Sequence, residues 1–305
     1  MTVIDFEQHR RELVTYCYRM LGSVHEAEDL VQETMLRAWQ ARERYDERKA
    51  SVRTWLYRIA TNVCLTALEG KARRPLPSGL GAASTDPETP LVPAFDVPWL
   101  QPFPDDPAAL AVKRGSMRLA LIAAMQLLPP RQRAVWVLRE VLEFSAAEVA
   151  SQLETSVTSV NSALQRARAG LGNAAIAEDE VAPPDDRSVR EAVEAYARAF
   201  EAGDVDALVE LLTEDAILEM PPVPLWYLGR SDYGAFIRRV FAMRGVGWRM
   251  VPTSANEQPA VAAYSPDQRL HTLQVFTVVD GKIAHTVVFQ DPAVFAAFDL
   301  PNVLS

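Results

Sequence analysis

Apolar residues recur every three to four positions through much of residues 5–74, the spacing of helices with one buried face. Ser23-Val24-His25-Glu26 reads as a capping box, in which the serine oxygen satisfies an orphan amide while Glu26 reaches back. The helix that follows has Ala27, Leu30, Val31, Leu36 and Trp39 on its apolar side and Glu28, Asp29, Gln32, Glu33 and Arg37 on the other. Another helix starts near Ser51, with Val52, Trp55, Leu56, Ile59, Ala60 and Val63 inward. Arg53, Thr54, Tyr57, Arg58, Thr61 and Asn62 fall on its opposite face. This helix runs into Lys71, Arg73 and Arg74 and stops at Pro75.

The helical period returns over residues 108–172. One helix is predicted from Leu110 to Leu128, and Pro129-Pro130 ends it and opens the next. Ser145-Ala146-Ala147-Glu148 is a second capping box. After a turn at Glu154-Thr155-Ser156 comes a helix with Val157, Val160, Leu164, Ala167 and Leu171 inward. Thr158, Ser159, Asn161, Ser162, Gln165, Arg166 and Arg168 face out, so the pair reads as a helix-turn-helix.

From about residue 185 the period changes from helical to mixed. Helices are predicted over Ser188–Glu201 and Val205–Leu212, then strands over 216–220, 247–252, 260–264, 270–279 and 282–289. Asp280-Gly281 between the last two is a hairpin signal, because both turn residues must take positive φ. This third domain, 185–305, is α+β.

Residues 75–107 hold nine of the chain's 21 prolines. Proline removes a backbone donor and fixes φ, so the stretch reads as a linker between 1–74 and 108–172. Within it, Trp99, Leu100 and Phe103 are costly to leave in water, and the reading is that they dock onto a domain.

Composition sharpens this organisation. A chain of 305 residues suits two or three domains. The net charge of −9 hides a split. Residues 1–74 carry 13 Lys/Arg against 11 Asp/Glu, and residues 113–172 carry eight against four. Residues 173–305 carry ten against twenty. Two mildly basic modules are thus joined to an acidic C-terminal domain, a pattern that bears on partners and not on fold. No run of about 18 apolar residues exists, and the first residues lack a signal-peptide pattern, so a cytoplasmic chain without a membrane partner is expected. Cys17 and Cys64 have no CxxC partner and are expected to be reduced, buried thiols.

The strings Glu26-Ala27-Glu28-Asp29-Leu30-Val31-Gln32-Glu33-Thr34 and Thr54-Trp55-Leu56-Tyr57-Arg58-Ile59-Ala60-Thr61-Asn62, followed by Ser145–Ala150 and Val160-Asn161-Ser162 with Arg166-Ala167-Arg168, occur in a telling order. Together they resemble the extracytoplasmic-function sigma factors of bacterial RNA polymerase, over residues 5–172. The resemblance implies a three-helix region 2, a region 4 helix-turn-helix, and two partners: the polymerase core, through its β′ clamp helices and β flap, and promoter DNA. It places Asp29, Gln32 and Glu33 on the clamp helices, where a partly anionic stripe suits an Arg-rich partner.

By the same resemblance, Arg53, Tyr57, Arg58 and Asn62 belong to the helix that recognises and opens the −10 element. Cations there neutralise phosphates, and aromatic and amide groups stack on or pair with flipped bases. Trp55 lies on the apolar side and reads as core. The −35 contacts carry over to Asn161, Ser162, Gln165 and Arg166. Many members have Lys or Arg where this chain has Asn161, and Asn pairs with adenine where Arg prefers guanine, so an altered −35 preference is expected. A linker of this length reaches roughly 110 Å when extended. That exceeds the separation of the two elements, on the order of 60 Å of duplex.

The third domain resembles the SnoaL/ketosteroid-isomerase cone, on Tyr196–Asp204, Leu212-Thr213-Glu214-Asp215-Ala216 and Asp280-Gly281-Lys282-Ile283. Isomerase-type members carry a carboxylate base just before the proline of the first strand, and here that position is Met220. Glu219 is adjacent, but strand alternation points it the other way. A two-residue turn at Asp280-Gly281 pairs Gln274 with Val287, Phe276 with His285 and Thr272 with Phe289, and an extra bulge would shift that register. On this register Trp226, Tyr227, Gln274, Phe276, His285 and Phe289 line an apolar pocket open to a small molecule. The alternative is a core histidine and an empty cone.

With four histidines and no ligand-spaced cluster, no metal and no cofactor is expected. The resulting expectation is a multidomain, monomeric, non-enzymatic sigma factor regulated by its acidic C-terminal domain. Two alternatives remain: a SnoaL-type cyclase or isomerase with a regulatory N-terminus, and a ligand-sensing transcription factor that acts without polymerase.

Overall fold

The structure, a computed structural model, describes residues 5–105, 116–172 and 186–304. The described residues gather into two compact units. One combines 5–74 with 116–172, and the other combines 75–105 with 186–304. The proline-rich segment is therefore part of the second unit.

In the first unit, α1 (Arg10–Leu21), α2 (Val24–Ala41) and α3 (Val52–Leu68) pack around Leu13, Tyr16, Cys17, Val31, Leu56 and Ala60. Gly22 at φ 70° ends α1 in the left-handed region, and Ser23 caps α2 by accepting from Glu26 N. The Glu26 carboxylate meets Lys71 at 3.1 Å and Arg74 at 2.9 Å, which ties α2 to the basic run after α3. Tyr16 Oη and Thr61 Oγ1 bond at 2.7 Å inside the bundle. The Cys17 and Cys64 thiols are buried and unlinked, 3.6 Å apart.

Four more helices follow among the described residues: α4 (Leu119–Gln126), α5 (Pro130–Trp136), α6 (Ala146–Gln152) and α7 (Val157–Leu171). The predicted start of α4 at Leu110 lies outside the described residues. The capping box at Ser145 forms in both directions, at 2.7 Å and 3.2 Å. Buried Arg133 on α5 links this half to the first. It donates to the backbone carbonyl of Met20, to Gln126 Oε1 at 2.7 Å, and to the carbonyls of Gln126 and Leu128. Burial, with help from Arg73, draws its pKa down to about 10, so it stays charged near neutrality.

The second unit is a six-stranded sheet in the order β2-β1-β6-β5-β4-β3. Its strands are β1 (Leu212–Glu219), β2 (Trp226–Leu228), β3 (Arg249–Ala255), β4 (Gln258–Tyr264), β5 (Leu270–Val279) and β6 (Lys282–Phe289). Only β1 and β6 run parallel. The helices are α8 (Arg187–Ala202), α9 (Val205–Glu210), α10 (Arg230–Arg244) and the short α11 (Pro292–Ala296). Val193, Tyr196 and Phe200 of α8 and Phe236 and Ile237 of α10 form one core with Leu218, Met220, Phe276 and Val288 on one sheet face.

The Asp280-Gly281 turn forms as expected, with φ 48° and 72° and Val279 opposite Lys282. The register beyond it differs from the expectation. Thr277 pairs with His285 while Val278 pairs with Ile283, so Ala284 is an extra residue in β6. That bulge puts Gln274 opposite Val288, Phe276 opposite Thr286 and Leu273 opposite Phe289. A one-residue slip turns every later β6 side chain to the other face.

Candidate functional site

Three helix surfaces of the first unit carry the residues singled out in the sequence. On α2, Asp29 and Gln32 are exposed and Glu33 half-buried, with Glu33 paired to Arg37 at 2.6 Å. Leu36 and Trp39 are exposed too, at 50% and 57%, where the periodicity placed them inward. The buried stripe instead runs through Ala27, Val31, Thr34, Met35 and Ala38. The Arg42 guanidinium lies 4.1 Å over the Trp39 ring. The outer face of α2 is thus a continuous acidic-to-apolar strip.

On α3 the four residues expected to meet DNA divide into two pairs. Arg58 and Asn62 are exposed. Tyr57 is fully buried, at 0%, which corrects its placement on the outer face. Its hydroxyl donates to Glu12 Oε2 at 3.1 Å, and its ring meets Tyr16 and Phe144 edge-on. Burial, reinforced by the Glu12 charge, pushes the Tyr57 hydroxyl well above its ordinary pKa. Arg53 is half-buried, paired with Glu12 at 2.9 Å and set over the rings of Tyr57 and Phe144. The burial arises from long-range partners: Glu12 from α1, and Phe144 from the residue just before the Ser145 cap. Trp55 is core, packed near Phe6 and Tyr45.

On α7, Asn161, Gln165 and Arg166 are exposed and Ser162 is half-buried, while Val160, Leu164, Ala167 and Leu171 hold the helix down. Arg168 pairs with Glu140 at 2.8 Å, which occupies it within the domain. The helix offers an amide, a hydroxyl, a second amide and a guanidinium on one side, the donor and acceptor set that reads base edges and phosphates.

In the second unit the two sheet faces differ. The inner face opens into a cavity of about 70 Å³ whose lining includes Tyr196, Phe200, Met220, Trp248, His271 and Gln274. Among the expected pocket residues, Gln274 lines this cavity and Phe276 stands beside it in the core, 4.9 Å from Tyr196. His285 and Phe289 face the other side because of the bulge, which corrects their assignment to the pocket. Trp226, paired with Glu219 across β1 and β2, also lies on the other side, and its indole donates to Gly81 O at 2.9 Å. Tyr227 faces inward as expected.

The outer face carries a buried polar cluster. Glu219 Oε1 accepts from Ser78 Oγ at 2.9 Å and from His285 Nε2 at 3.1 Å, and its other oxygen accepts from Ser78 N at 3.1 Å. Burial raises the carboxyl pKa, but the His285 and Ser78 bonds outweigh it and hold the pKa below the ordinary value. The sequence predicted that Glu219 turns from the cavity. Its partners were not legible there, because Ser78 lies in a proline-rich stretch without periodicity.

The proline-rich segment is fastened to this domain along its length. Ser84 N donates to Trp226 O at 2.8 Å and Ala94 N to Pro222 O at 2.9 Å. Arg239 Nη1 donates to the carbonyls of Pro87 and Thr89 at 2.6 Å and 2.7 Å. Trp99 and Leu100 are buried. The Phe103 backbone pairs with Asn256, donating to Oδ1 at 2.6 Å and accepting from Asn256 N at 2.9 Å. Among the described residues, no group of three His, Cys, Asp or Glu side chains has metal-site geometry, and no helix is long and apolar enough to cross a membrane.

Comparison with known proteins agrees with this division. Residues 6–74 match Sigma-70 region 2, residues 118–171 match Sigma-70, region 4, and residues 193–286 match the SnoaL-like domain. The chain is 47% identical over 309 aligned positions to the ECF RNA polymerase sigma factor SigG of Mycobacterium tuberculosis, covering 98% of this chain and 83% of that protein. It is 33% identical over 217 positions to SigJ of the same organism, covering 70% of this chain and 63% of the relative. The crystal structure of Mycobacterium tuberculosis SigJ shares the fold, with a TM-score of 0.65 at 23% identity over 97% of this chain and 99% of that one.

Proposed function

The chain belongs to the extracytoplasmic-function sigma factors of RNA polymerase, and on that premise we propose how its surfaces divide the work and how its C-terminal domain restrains them. The α2 strip of Asp29, Gln32 and Glu33, extended by exposed Leu36 and Trp39, docks on the β′ clamp helices. A few charges beside an aromatic anchor is the composition of a binding hot spot. Exposed Arg58 and Asn62 make the first −10 contacts, and Asn161, Ser162, Gln165 and Arg166 read the −35 element. Arg53 and Tyr57 brace this helix from within, through Glu12 and Phe144. The protein works beside the polymerase in the cytoplasm.

The second unit serves as a regulator in this reading, and not as an isomerase. A carboxylate base would have to face the cavity; Met220 occupies that place, and Glu219 is turned away and engaged by Ser78 and His285.

The observation that carries the regulatory reading is the fastening of residues 78–103 to the cone, from Ser78–Glu219 to Phe103–Asn256. A tether held along its length on one domain is not free to extend between two promoter elements. Run-off transcription with core polymerase tests this, comparing the full chain, residues 1–172 and full-length Glu219→Ala. The expected result is specific transcripts from all three, with more from the truncated and Glu219→Ala proteins. Equal output at every salt concentration overturns the regulatory role, and absence of transcripts together with failure to bind core overturns the surface assignments.

A further inference from the structure

The chain has two cysteines in 305 residues, and folding brings them together. Cys17 on α1 and Cys64 on α3, 47 positions apart, stand with their sulfurs 3.6 Å from each other. Both are fully buried and unlinked. A disulfide sets its sulfurs about 2.05 Å apart, so a shift of about 1.5 Å shared between two side chains would close the bond. Among the described residues no group of three metal-ligating side chains forms, so the pair is not one edge of a metal site.

The surroundings make the two sulfurs unequal. The charge of buried Arg133 on α5 reaches Cys64, so negative charge that develops on that sulfur during an attack is stabilised. Cys17 is held as a thiol instead, because its contact with Cys64, and then burial, push its pKa up. Tyr16 and Thr61, the neighbours of the pair on the same two helices, join across the bundle at 2.7 Å. Neither sulfur meets solvent, so a reagent reaches them only when α1 and α3 part.

We propose that Cys17 and Cys64 form a reversible disulfide in response to a peroxide, and that this bond staples α1 to α3. The Cys64 sulfur attacks one oxygen of hydrogen peroxide and the O–O bond breaks. Cys64 becomes a sulfenic acid, and the departing hydroxide leaves as water with the Cys64 proton. The Cys17 sulfur then attacks the Cys64 sulfur, whose hydroxyl leaves as a second water with the Cys17 proton. The two thiols together lose two electrons and two protons, and the peroxide takes them up.

The cross-link closes a loop that contains all of α2 and removes freedom from the opened bundle, so the bundle opens less often. Arg58 and Asn62 stay outside on α3 while Cys64 lies within, so the staple preserves the helix and leaves its exposed face free. This inference stands on the sulfur pair alone. Its readouts are mass and hydrogen exchange, so it can fail while the transcription reading holds.

The test treats the full chain with hydrogen peroxide, blocks free thiols with iodoacetamide, and follows mass and the exchange of amides 10–21 and 52–68. The expected product is one unalkylated chain lighter by two hydrogens, with peptide mapping that links Cys17 to Cys64. Exchange in α1 and α3 should slow about tenfold, and dithiothreitol should restore both thiols and the original exchange. Cys17→Ala should stop at a Cys64 sulfenic acid that dimedone traps, and Cys64→Ala should give none. A short pulse of iodoacetamide on the untreated native chain should label Cys64 before Cys17, which checks the same order without a substitution. Thiols that stay free after hours in millimolar peroxide, a disulfide between two copies, or sulfinic acid without the cross-link overturns the proposal. A cross-link that leaves exchange unchanged overturns the staple, and trapping or labelling at Cys17 first overturns the order of attack.

Discussion

Ser78 gives both its backbone amide and its hydroxyl to the Glu219 carboxylate, at 3.1 Å and 2.9 Å, across 141 positions of sequence. The pair converts a stretch that propensity reads as an open tether into part of a folded domain. His285 completes the cluster at 3.1 Å; because an ionised carboxylate only accepts, the imidazole Nε2 carries the donated proton.

Removing the carboxylate while keeping its shape should release this latch. Glu219→Gln presents an NH2 group to donors that need an acceptor, and the expected cost is about 1–3 kcal/mol. The folded-state pKa is depressed, so the latch is at full strength above the ordinary carboxylate range and weakens as pH falls through the folded pKa. Hydrogen exchange over residues 76–80 checks both points. Fast exchange is expected in the variant at neutral pH and in the native chain only under acid.

The two pairs on α3 should separate stability from DNA melting. Arg58→Ala and Asn62→Ala change exposed groups, so promoter opening should fall while the melting temperature holds. Tyr57→Phe removes one bond, to Glu12, and should cost about 0.5–1.5 kcal/mol of stability with little effect on opening. Permanganate footprinting of the −10 thymines, run beside thermal melts, distinguishes them. Loss of opening in Tyr57→Phe without loss of stability would mean that Tyr57 leaves the core to meet a base.

The elements legible in the sequence were those set by local chemistry. Ser145 with Glu148, the Asp280-Gly281 turn and the hydrophobic period of α7 each depend on neighbours a few residues away. The errors arose where distant residues decide. Tyr57 has a polar tip, so its period looked outward, but Glu12 and Phe144 give that tip and ring a buried home. Leu36 and Trp39 looked inward because they are apolar at helical spacing, yet among the described residues they stay exposed. Ala284 leaves no signature as a bulge, yet it moves His285 and Phe289 from one face of the sheet to the other. β2 and α10 went unread as well; α10 carries Gly234 and a weak apolar stripe.

His271 gives the second unit a pH response of predictable sign. Its folded-state pKa is about 4 against an ordinary value of 6.5. Between those values the unfolded chain binds a proton that the folded one refuses, so stability rises with pH across the window and is lost as pH falls through it. Chemical denaturation at a series of pH values should show that slope in the native chain and a flatter one in His271→Gln. NMR titration of the imidazole should place its midpoint near the lower value.

The recognition helix yields the most discriminating test of the DNA assignment. Asn161 and Arg166 are both exposed on α7, yet they should fail differently. Asn161→Ala removes a base reader, so the loss should concentrate at one −35 base pair and amount to about 1–3 kcal/mol there. Arg166→Ala should weaken binding to all sequences alike and lower the slope of log affinity against log salt by about 1 if it meets phosphate. Asn161→Arg should move the preferred base from adenine toward guanine, because the guanidinium pairs with O6 and N7. Holoenzyme binding to the four single-base −35 variants, repeated across salt concentrations, separates these outcomes. Uniform loss in Asn161→Ala would make Asn161 a backbone contact and leave Gln165 as the reader at the centre of the helix.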